Sequence, residues 1–300
     1  MAMASAQACD TPPPAEWLEE SVPSPAVFAP GVISTGLREY GITFTPDGRE
    51  AYFTRRARRG PPQILVSTYG ESGWSEPTAP PFASEYDEGP RMAADGESML
   101  FASRRLIPGT GDRSDNVWIV RRGEEGWGRP SALRGAVNQP RSEDDDFVTG
   151  TELGPAFLPD GSILYWSRVD PDWGADIYRS ALLDDGTYGP PVPLRINSTG
   201  DETNATLSPD GRFLLFQAYR DASAPGNQDL YVSRRNEYGW DAPVLLPAPL
   251  NSPENDGYPS FSPDGRFFFF ASDRDARGGY YDVWYVDADE LDLDNLTRRP

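Results

Sequence analysis

Short apolar runs separated by tight turns recur five times along the chain, and each repeat is centred on an Asp-Gly pair. The aspartates are Asp47, Asp95, Asp160, Asp210 and Asp264, and four of the five follow a proline. Proline presets φ, aspartate bonds to the local backbone and glycine accepts the positive φ that closes a hairpin. Successive aspartates are 48, 65, 50 and 54 residues apart. Periods near 50 residues are typical of propeller blades and similar arrays.

Each repeat is predicted to contain four strands around its turn. Runs that are apolar on both faces follow the turns at residues 51–53, 99–101, 163–166, 213–216 and 267–270, and they need cover on both sides. Third strands are predicted at 63–66, 116–119, 176–178, 229–232 and 282–285, and an aromatic residue followed by proline introduces a fourth. The pattern predicts an all-β, five-bladed propeller of four-stranded antiparallel blades, with six blades as the alternative.

The fifth repeat lacks a clear fourth strand. The segment 24–28 resembles the outer-strand segment 242–245 of the fourth repeat, so we expect the N-terminal strand to close the ring. Residues 291–300 compete for that position. The expected organisation is a signal-peptide remnant and linker over residues 1–24 and a single propeller domain over residues 25–300.

Composition narrows the possible functions. A formal net charge of −20 argues against nucleic-acid binding, and no apolar run is long enough to span a bilayer. The chain has no histidine and one cysteine, Cys9, which excludes histidine-based nucleophile arrangements, histidine zinc sites and disulfides within the chain. We expect a monomer.

The fifth repeat carries a resemblance to a known family. It contains Asn251-Ser252, Asp256, Pro259 to Gly265, Ser272-Asp273-Arg274, Gly278-Gly279 and Asp282-Val283-Trp284. This resembles bacterial TolB-like or WD-like β-propeller repeats. The resemblance implies periplasmic or extracellular propellers that bind proteins or glycans, sometimes beside a catalytic domain.

An acid precedes each turn and an arginine follows each second strand. The acids are Glu39, Glu88, Glu152, Glu202 and Asp256, and the arginines are Arg55, Arg104, Arg168, Arg220 and Arg274. Residues that face each other across a hairpin have numbers with a nearly constant sum, and all five acid–arginine pairs match their turn within one residue. We therefore expect cross-strand ion pairs at one rim, with arginines in a structural role. The alternative is that some of these acids face the central opening as a ligand site.

Catalysis by carboxylates around the central pocket is a further alternative, because some five-bladed propellers are glycosidases. Such chemistry needs two carboxyl groups in unlike environments, whereas these acids recur in equivalent positions beside arginines. The repeat therefore favours binding over hydrolysis.

Several loops offer other chemistry. Trp173, Tyr280 and Tyr281, between second and third strands, suit a sugar or a peptide. Asp170, Asp172 and Asp176, and likewise Asp273, Asp275 and Asp282, could supply oxygens to Ca²⁺, although neither set matches a complete ligand loop. The acidic insertion 141–151 is either a solvated loop or a surface for a basic partner.

The N-terminus bears on location. Ala6-Gln7-Ala8 resembles the small-x-small end of a secretory cleavage site, and Cys9 follows it as a candidate lipid anchor or an incidental cysteine. The leading hypothesis is a non-catalytic recognition module of the bacterial cell envelope, periplasmic or extracellular, that binds an envelope protein or a glycan at one propeller face without a cofactor.

Overall fold

The computed structural model describes residues 15–109, 114–138, 151–167, 174–220, 226–275 and 280–298. They form five antiparallel sheets, and the first strands of the sheets contact one another around a common axis. The five-bladed propeller of four-stranded blades is therefore confirmed.

Each blade runs from the axis outwards. Blade one comprises β2 (Arg38–Phe44), β3 (Glu50–Arg56), β4 (Pro62–Gly70) and β5 (Gly73–Trp74). Blade two comprises β6 (Asp87–Met92), β7 (Ser98–Ser103), β8 (Asn116–Gly123), β9 (Gly126–Trp127) and β10 (Ser131–Ala132). Blade three comprises β11 (Glu152–Phe157), β12 (Ile163–Ser167), β13 (Asp176–Ser180) and β14 (Val192–Pro193).

Blade four comprises β15 (Asp201–Leu207), β16 (Phe213–Tyr219), β17 (Asp229–Asn236), β18 (Gly239–Trp240) and β19 (Val244–Leu245). Blade five comprises β20 (Asp256–Phe261), β21 (Phe267–Ser272), β22 (Asp282–Asp287) and, from the other end of the chain, β1 (Ala26–Val27). Ala26 pairs with Tyr285 and Val27 with Trp284, which confirms closure by the N-terminal strand.

The C-terminal residues take another position. A 3₁₀ helix at Ala288–Leu291 and a short helix α1 at Leu293–Leu296 follow β22, and Leu291 packs between blades four and five. A second 3₁₀ helix, Glu16–Glu19, lies within the segment predicted as a linker and buries Trp17 between blades five and one. Within the described residues, no helix has the length and apolarity needed to cross a bilayer.

The core consists of apolar layers between blades, which explains why the second strands are apolar on both faces. All six residues of β21 are buried, with Phe267 and Phe269 packed towards blade one and Phe268 and Phe270 towards blade four. One strand thus contributes to two layers.

The Asp-Gly turns form as their residue types predict. In blade one Asp47 accepts hydrogen bonds from the Thr45 hydroxyl (2.6 Å) and the Arg49 amide (3.0 Å), and Gly48 takes φ of 70°. Asp210 and Asp264 accept the same pair of bonds in blades four and five. These turns lie at one end of the propeller, and the predicted ion pairs lie at the other.

Candidate functional site

The end of the propeller opposite the Asp-Gly turns carries the candidate site, because the inner strands begin there and bring polar and aromatic side chains together at the axis. We call this group of side chains the axial mouth and define it by Tyr40, Glu88 and Tyr258. It involves blades one, two and five.

Every inner strand contains a bulge, and the second residue after its rim acid (Glu39, Asp87, Glu152, Glu202 or Asp256) has a left-handed backbone. These residues are Gly41, Gly89, Gly154, Asn204 and Tyr258, with φ between 51° and 63°. Left-handed conformations favour glycine, and a tyrosine there costs roughly 1–3 kcal/mol of strain. Blades one, two and three therefore have glycine at this position. Blades four and five have Asn204 and Tyr258 there, whose side chains lie beside the axis despite the backbone strain.

Polar contacts between blades hold the two strained residues. Gln217 of blade four accepts hydrogen bonds from the Asn204 side chain (3.1 Å) and the Tyr258 amide (3.1 Å). Asn204 in turn accepts a bond from the indole of Trp166 in blade three (3.3 Å). A Cβ at Gly257 would lie 2.1 Å from the Gln217 carbonyl oxygen, so glycine is required there.

Three of the five expected rim ion pairs are present. They join Glu39 to Arg55 (2.8 Å), Glu202 to Arg220 (3.1 Å) and Asp256 to Arg274 (2.7 Å). Each of these carboxylates also accepts bonds from the backbone and hydroxyl of a preceding Thr35, Ser198 or Ser252. All three carboxylates have 0% exposure, so they stabilise the connections between blades and have no surface for a ligand.

The burial of Glu39 affects the pKa of its carboxyl group. Desolvation raises the pKa of Glu39, and its hydrogen bonds to Thr35 and the charge of Arg55 oppose that rise. Glu152 of blade three is likewise buried, whereas its predicted partner Arg168 lies outside the described residues.

Blade two departs from the prediction. The expected Glu88–Arg104 pair is replaced by Asp87 and Arg105, whose guanidinium donates to both carboxylate oxygens at 2.8 Å. Arg104 instead forms two bonds to Asp115, at 2.8 and 3.0 Å. The residue numbers of Asp87 and Arg105 have the same sum as those of Glu88 and Arg104. The constant-sum rule for residues that face each other across a hairpin therefore could not distinguish the two pairs.

This shift of one residue turns Glu88 towards the axis. Its carboxylate accepts a hydrogen bond from the Tyr40 hydroxyl of blade one at 2.8 Å. Desolvation raises the pKa of Glu88, the nearby Asp115 charge adds to the rise, and the bond from Tyr40 and the charges of Arg56 and Arg104 oppose it. Of the five acids predicted from the repeat, Glu88 is the one that the structure places at the axial mouth.

Tyrosines extend from Glu88 towards blade five. The rings of Tyr40 and Tyr258 lie 4.5 Å apart between centroids, and those of Tyr258 and Tyr281 lie 6.0 Å apart. Burial raises the pKa of Tyr258 and Tyr281 far above the ordinary range, so both hydroxyls stay protonated. Tyr281 also donates to Gln228 at 3.1 Å. The predicted loop aromatics Tyr280 and Tyr281 are therefore close to the mouth and partly buried.

Arginines that have no carboxylate partner among the described residues lie beside the same tyrosines. The guanidinium of Arg38 lies 5.6 Å from the Tyr280 ring centroid and 5.8 Å from that of Tyr281, and Arg58 lies 5.3 Å from Tyr280. The Arg38 Nε is buried and has no hydrogen-bond acceptor among the described residues. Arg56 acts electrostatically on both Glu88 and Tyr258. Positive charge is thus concentrated here in a chain of net charge −20.

Arg91 closes the axis beyond the mouth. It is 8% exposed, and its guanidinium donates to the carbonyls of Ile42 (3.5 Å), Pro90 (3.4 Å) and, across the ring, Pro259 (3.2 Å). Desolvation lowers the pKa of Arg91 to about 10, which leaves it charged at neutral pH. A charged arginine therefore lies on the axis next to the axial mouth.

Other predicted features lie outside the described residues. These are Trp173, the aspartates Asp170 and Asp172 of one calcium hypothesis, glycines 278–279 of the other, the insertion 141–150 and Cys9. In the part of the chain that the structure describes, no group of three acidic, cysteine or histidine residues is arranged to hold a metal ion.

No protein-family model and no curated protein sequence matches the chain. Among solved structures, a mannose phosphorylase from Leishmania mexicana is similar over 92% of this chain and 91% of its own, with a TM-score of 0.53 and 13% identity. TolB from Acinetobacter baumannii is similar over 84% of this chain, with a TM-score of 0.47 and 19% identity, and this chain spans 52% of its length.

A third similar structure is a glycoside hydrolase from Parabacteroides distasonis, described as putative, which has a TM-score of 0.49, 11% identity and coverage of 89% and 93%. At these identities the phosphorylase match supports the β-propeller fold and nothing finer.

Sequence reasoning missed Tyr40, Arg91 and Tyr258. One signal was available, because Gly41, Gly89 and Gly154 align once each inner strand is numbered from its first acid. That alignment selects Asp87 as the rim acid, since Gly89 follows it by two residues. It would also have marked Tyr258 as the occupant of a glycine position, whereas Asn204 follows Asp201, the first acid of β15, by three residues.

Proposed function

We propose that this propeller is a non-catalytic recognition module of the bacterial cell envelope and that it binds an acidic glycan at the axial mouth. The observation that carries the proposal is the coincidence of tyrosine rings with arginines that form no ion pair within the part of the chain that the structure describes. Tyr258 and Tyr281 are partly exposed rings that a sugar can contact, and the partly exposed side chain of Arg38 lies beside Tyr281. A sugar carboxylate is the kind of acceptor that binds such a guanidinium group.

The second component of the site is Glu88. A carboxyl group with a raised pKa can exchange hydrogen bonds with sugar hydroxyls in either protonation state, and the Tyr40 hydroxyl fixes its orientation. The proposal requires no cofactor. A periplasmic or extracellular location belongs to the proposal and is supported by the sequence Ala6-Gln7-Ala8-Cys9.

Hydrolysis of a glycoside is the second candidate, and the raised pKa of Glu88 is the observation that favours it. A general acid needs such a pKa, but the usual mechanism also needs a second carboxylate about 5–10 Å away and free to act. Among the described residues the nearest acid that affects Glu88 is Asp115, which Arg104 holds through two bonds. We therefore prefer binding.

The test compares a uronic-acid trisaccharide with an uncharged trisaccharide of the same linkage by isothermal titration calorimetry. We expect the acidic sugar to bind more tightly. The double variant Arg38→Gln and Arg56→Gln should weaken its binding roughly tenfold or more, because each charged hydrogen bond contributes about 1.5–3 kcal/mol. Arg129→Gln, at an exposed position beyond β9, is the matched control and should change little.

The same sample decides between the two candidates. Release of reducing sugar that Glu88→Gln abolishes would establish the hydrolase and contradict the binding proposal. Equal affinity for the charged and uncharged sugars, or no loss in the double variant, would remove the role assigned to the arginines. Near-ultraviolet circular dichroism verifies that each variant is folded.

A further inference from the structure

A second recognition site is suggested by the grooves between neighbouring blades, near the Asp-Gly turns. The groove between blades five and one is occupied by the chain itself. Trp17 inserts there, with its ring centroid 5.5 Å from Phe28, 5.0 Å from Phe44 and 5.8 Å from Trp74. Its indole N–H donates to the Gly48 carbonyl of the turn at 2.8 Å.

Three other grooves are also closed by the chain. Between blades two and three, buried Tyr188 directs its hydroxyl to the Gly161 carbonyl at 3.5 Å. Between blades one and two, Trp127 donates to the Tyr52 hydroxyl at 2.8 Å. Between blades four and five, the C-terminal segment 291–296 packs against the apolar layer.

None of the described residues fills the groove between blades three and four. It forms a cavity of about 400 Å³. The residues that line this cavity can be aligned with those around Trp17 by comparing strand registers and positions relative to the turns. Four wall residues correspond in this way: Leu194 to Phe28, Leu207 to Phe44, Leu164 to Phe269 and Trp240 to Trp74. The match is anchored by equal hydrogen bonds, since the amides of Leu194 and Phe28 donate to the third strands at 2.9 and 2.8 Å.

The equivalent turn is also uncovered. A Cβ at Gly48 would lie 2.8 Å from the Leu18 side chain, which covers it. At Gly211, the same position in blade four, a Cβ would meet only the end of the Arg235 side chain, at 3.9 Å. Trp17 donates to the Gly48 carbonyl in one groove, and no described residue donates to the equivalent Gly211 carbonyl in the other.

Charge indicates what kind of segment fits. Arg179, Arg195 and Arg235 line the open groove, and one of them, Arg179, is paired with Asp160. In the occupied groove the bound segment is Glu16–Glu19 followed by Glu20, and Arg266 donates to the carbonyls of Leu18 and Glu20. Acidic residues around an aromatic anchor would meet the exposed arginines of the open groove.

We propose that the groove between blades three and four binds a short segment of a partner protein in which tryptophan is followed by leucine and flanked by acidic residues. The tryptophan ring occupies the space between Leu207 and Trp240, and its N–H donates to the Gly211 carbonyl. This site is independent of the axial mouth.

The probe is a fluorescein-labelled peptide with the sequence of residues 15–22, Ala-Glu-Trp-Leu-Glu-Glu-Ser-Val, titrated against the full chain by fluorescence anisotropy. We expect saturable binding that is lost when alanine replaces the peptide tryptophan. Reversal of two charges in the chain, Arg195→Glu and Arg235→Glu, should weaken binding at least tenfold. The control Arg59→Glu and Arg129→Glu makes the same change in net charge at two exposed positions elsewhere and should weaken it less than threefold.

A cross-linking measurement locates the peptide. Benzoylphenylalanine in place of its tryptophan should cross-link to Val192 or Trp240, as identified by mass spectrometry. Cross-links to Phe28 or Trp74 would mean that the peptide displaces the chain's own segment, and that result overturns the proposal. Absence of saturation also overturns it, and so does concentration-dependent dimerisation that the Arg195/Arg235 reversal abolishes, because the groove would then bind a second copy.

Discussion

Removing Arg105 tests the assignment of the blade-two ion pair, because the sequence alone favoured Arg104. The Arg105 guanidinium forms two bonds of 2.8 Å to Asp87, one of 3.1 Å to Ser103 and one of 2.5 Å to the Phe82 carbonyl. Asp87 has 0% exposure and Arg105 18%. Arg105→Gln therefore leaves a buried carboxylate without its charge partner, a change that typically costs about 3–5 kcal/mol.

Arg104→Gln is the matched control. Arg104 is 46% exposed and pairs with Asp115, so solvent screens the interaction and the expected loss is about 1 kcal/mol or less. Equilibrium unfolding in urea measures both variants, and the larger loss corresponds to a fall in Tm of roughly 5–8 °C for a chain of 300 residues. Equal losses in the two variants would refute the assignment.

A third variant separates charge burial from loss of packing. Replacing Asp87 and Arg105 together with Leu and Met removes both charges at similar volume. It should recover a large part of the stability lost in Arg105→Gln, because no unpaired charge remains. A double variant less stable than Arg105→Gln would instead show that the hydrogen bonds of Asp87 to Ser84 dominate.

Three further predictions concern other parts of the ring. Trp17→Ala should destabilise the fold by about 3–5 kcal/mol in urea unfolding, since it empties the layer between blades five and one. Glu88→Gln should raise the free energy of unfolding at about pH 8. The pKa of Glu88 is raised in the folded state, so its ionised form disfavours folding. The gain in stability should therefore vanish as the pH falls through that pKa. Asn251→Ala should cost about 2–4 kcal/mol by calorimetry, because the Asn251 amide satisfies the buried N–H (2.8 Å) and C=O (3.0 Å) of Leu230.

The fold followed from the sequence because each blade is specified locally. The Asp-Gly turn fixes each hairpin, the doubly apolar second strand requires a neighbour on both sides, and the resemblance of segment 24–28 to an outer strand predicted the closure. All three kinds of information lie within one repeat or come from a comparison of repeats. Contacts between residues far apart in the sequence were not needed to predict the fold.

The site was only partly predictable. Glu88 was named, but with the wrong arginine, because hairpin geometry fixes which strands face each other and not which side of the strand faces the axis. Tyr40 and Tyr258 meet across two blades that are more than 200 residues apart in sequence, a contact that depends on how the ring closes. Arg91 is buried, although charged side chains generally lie at the protein surface. Nothing in the sequence indicates which backbone carbonyl groups it contacts.

The pairing of β1 with β22 has a consequence for biosynthesis. Ala26 is synthesised 259 residues before its partner Tyr285. The strand β1 therefore remains without its native neighbour while the other four blades are synthesised, and the annulus can be completed only after β22 has emerged. Ring closure is thus a late event, dependent on a long-range encounter that is slow compared with formation of any single hairpin.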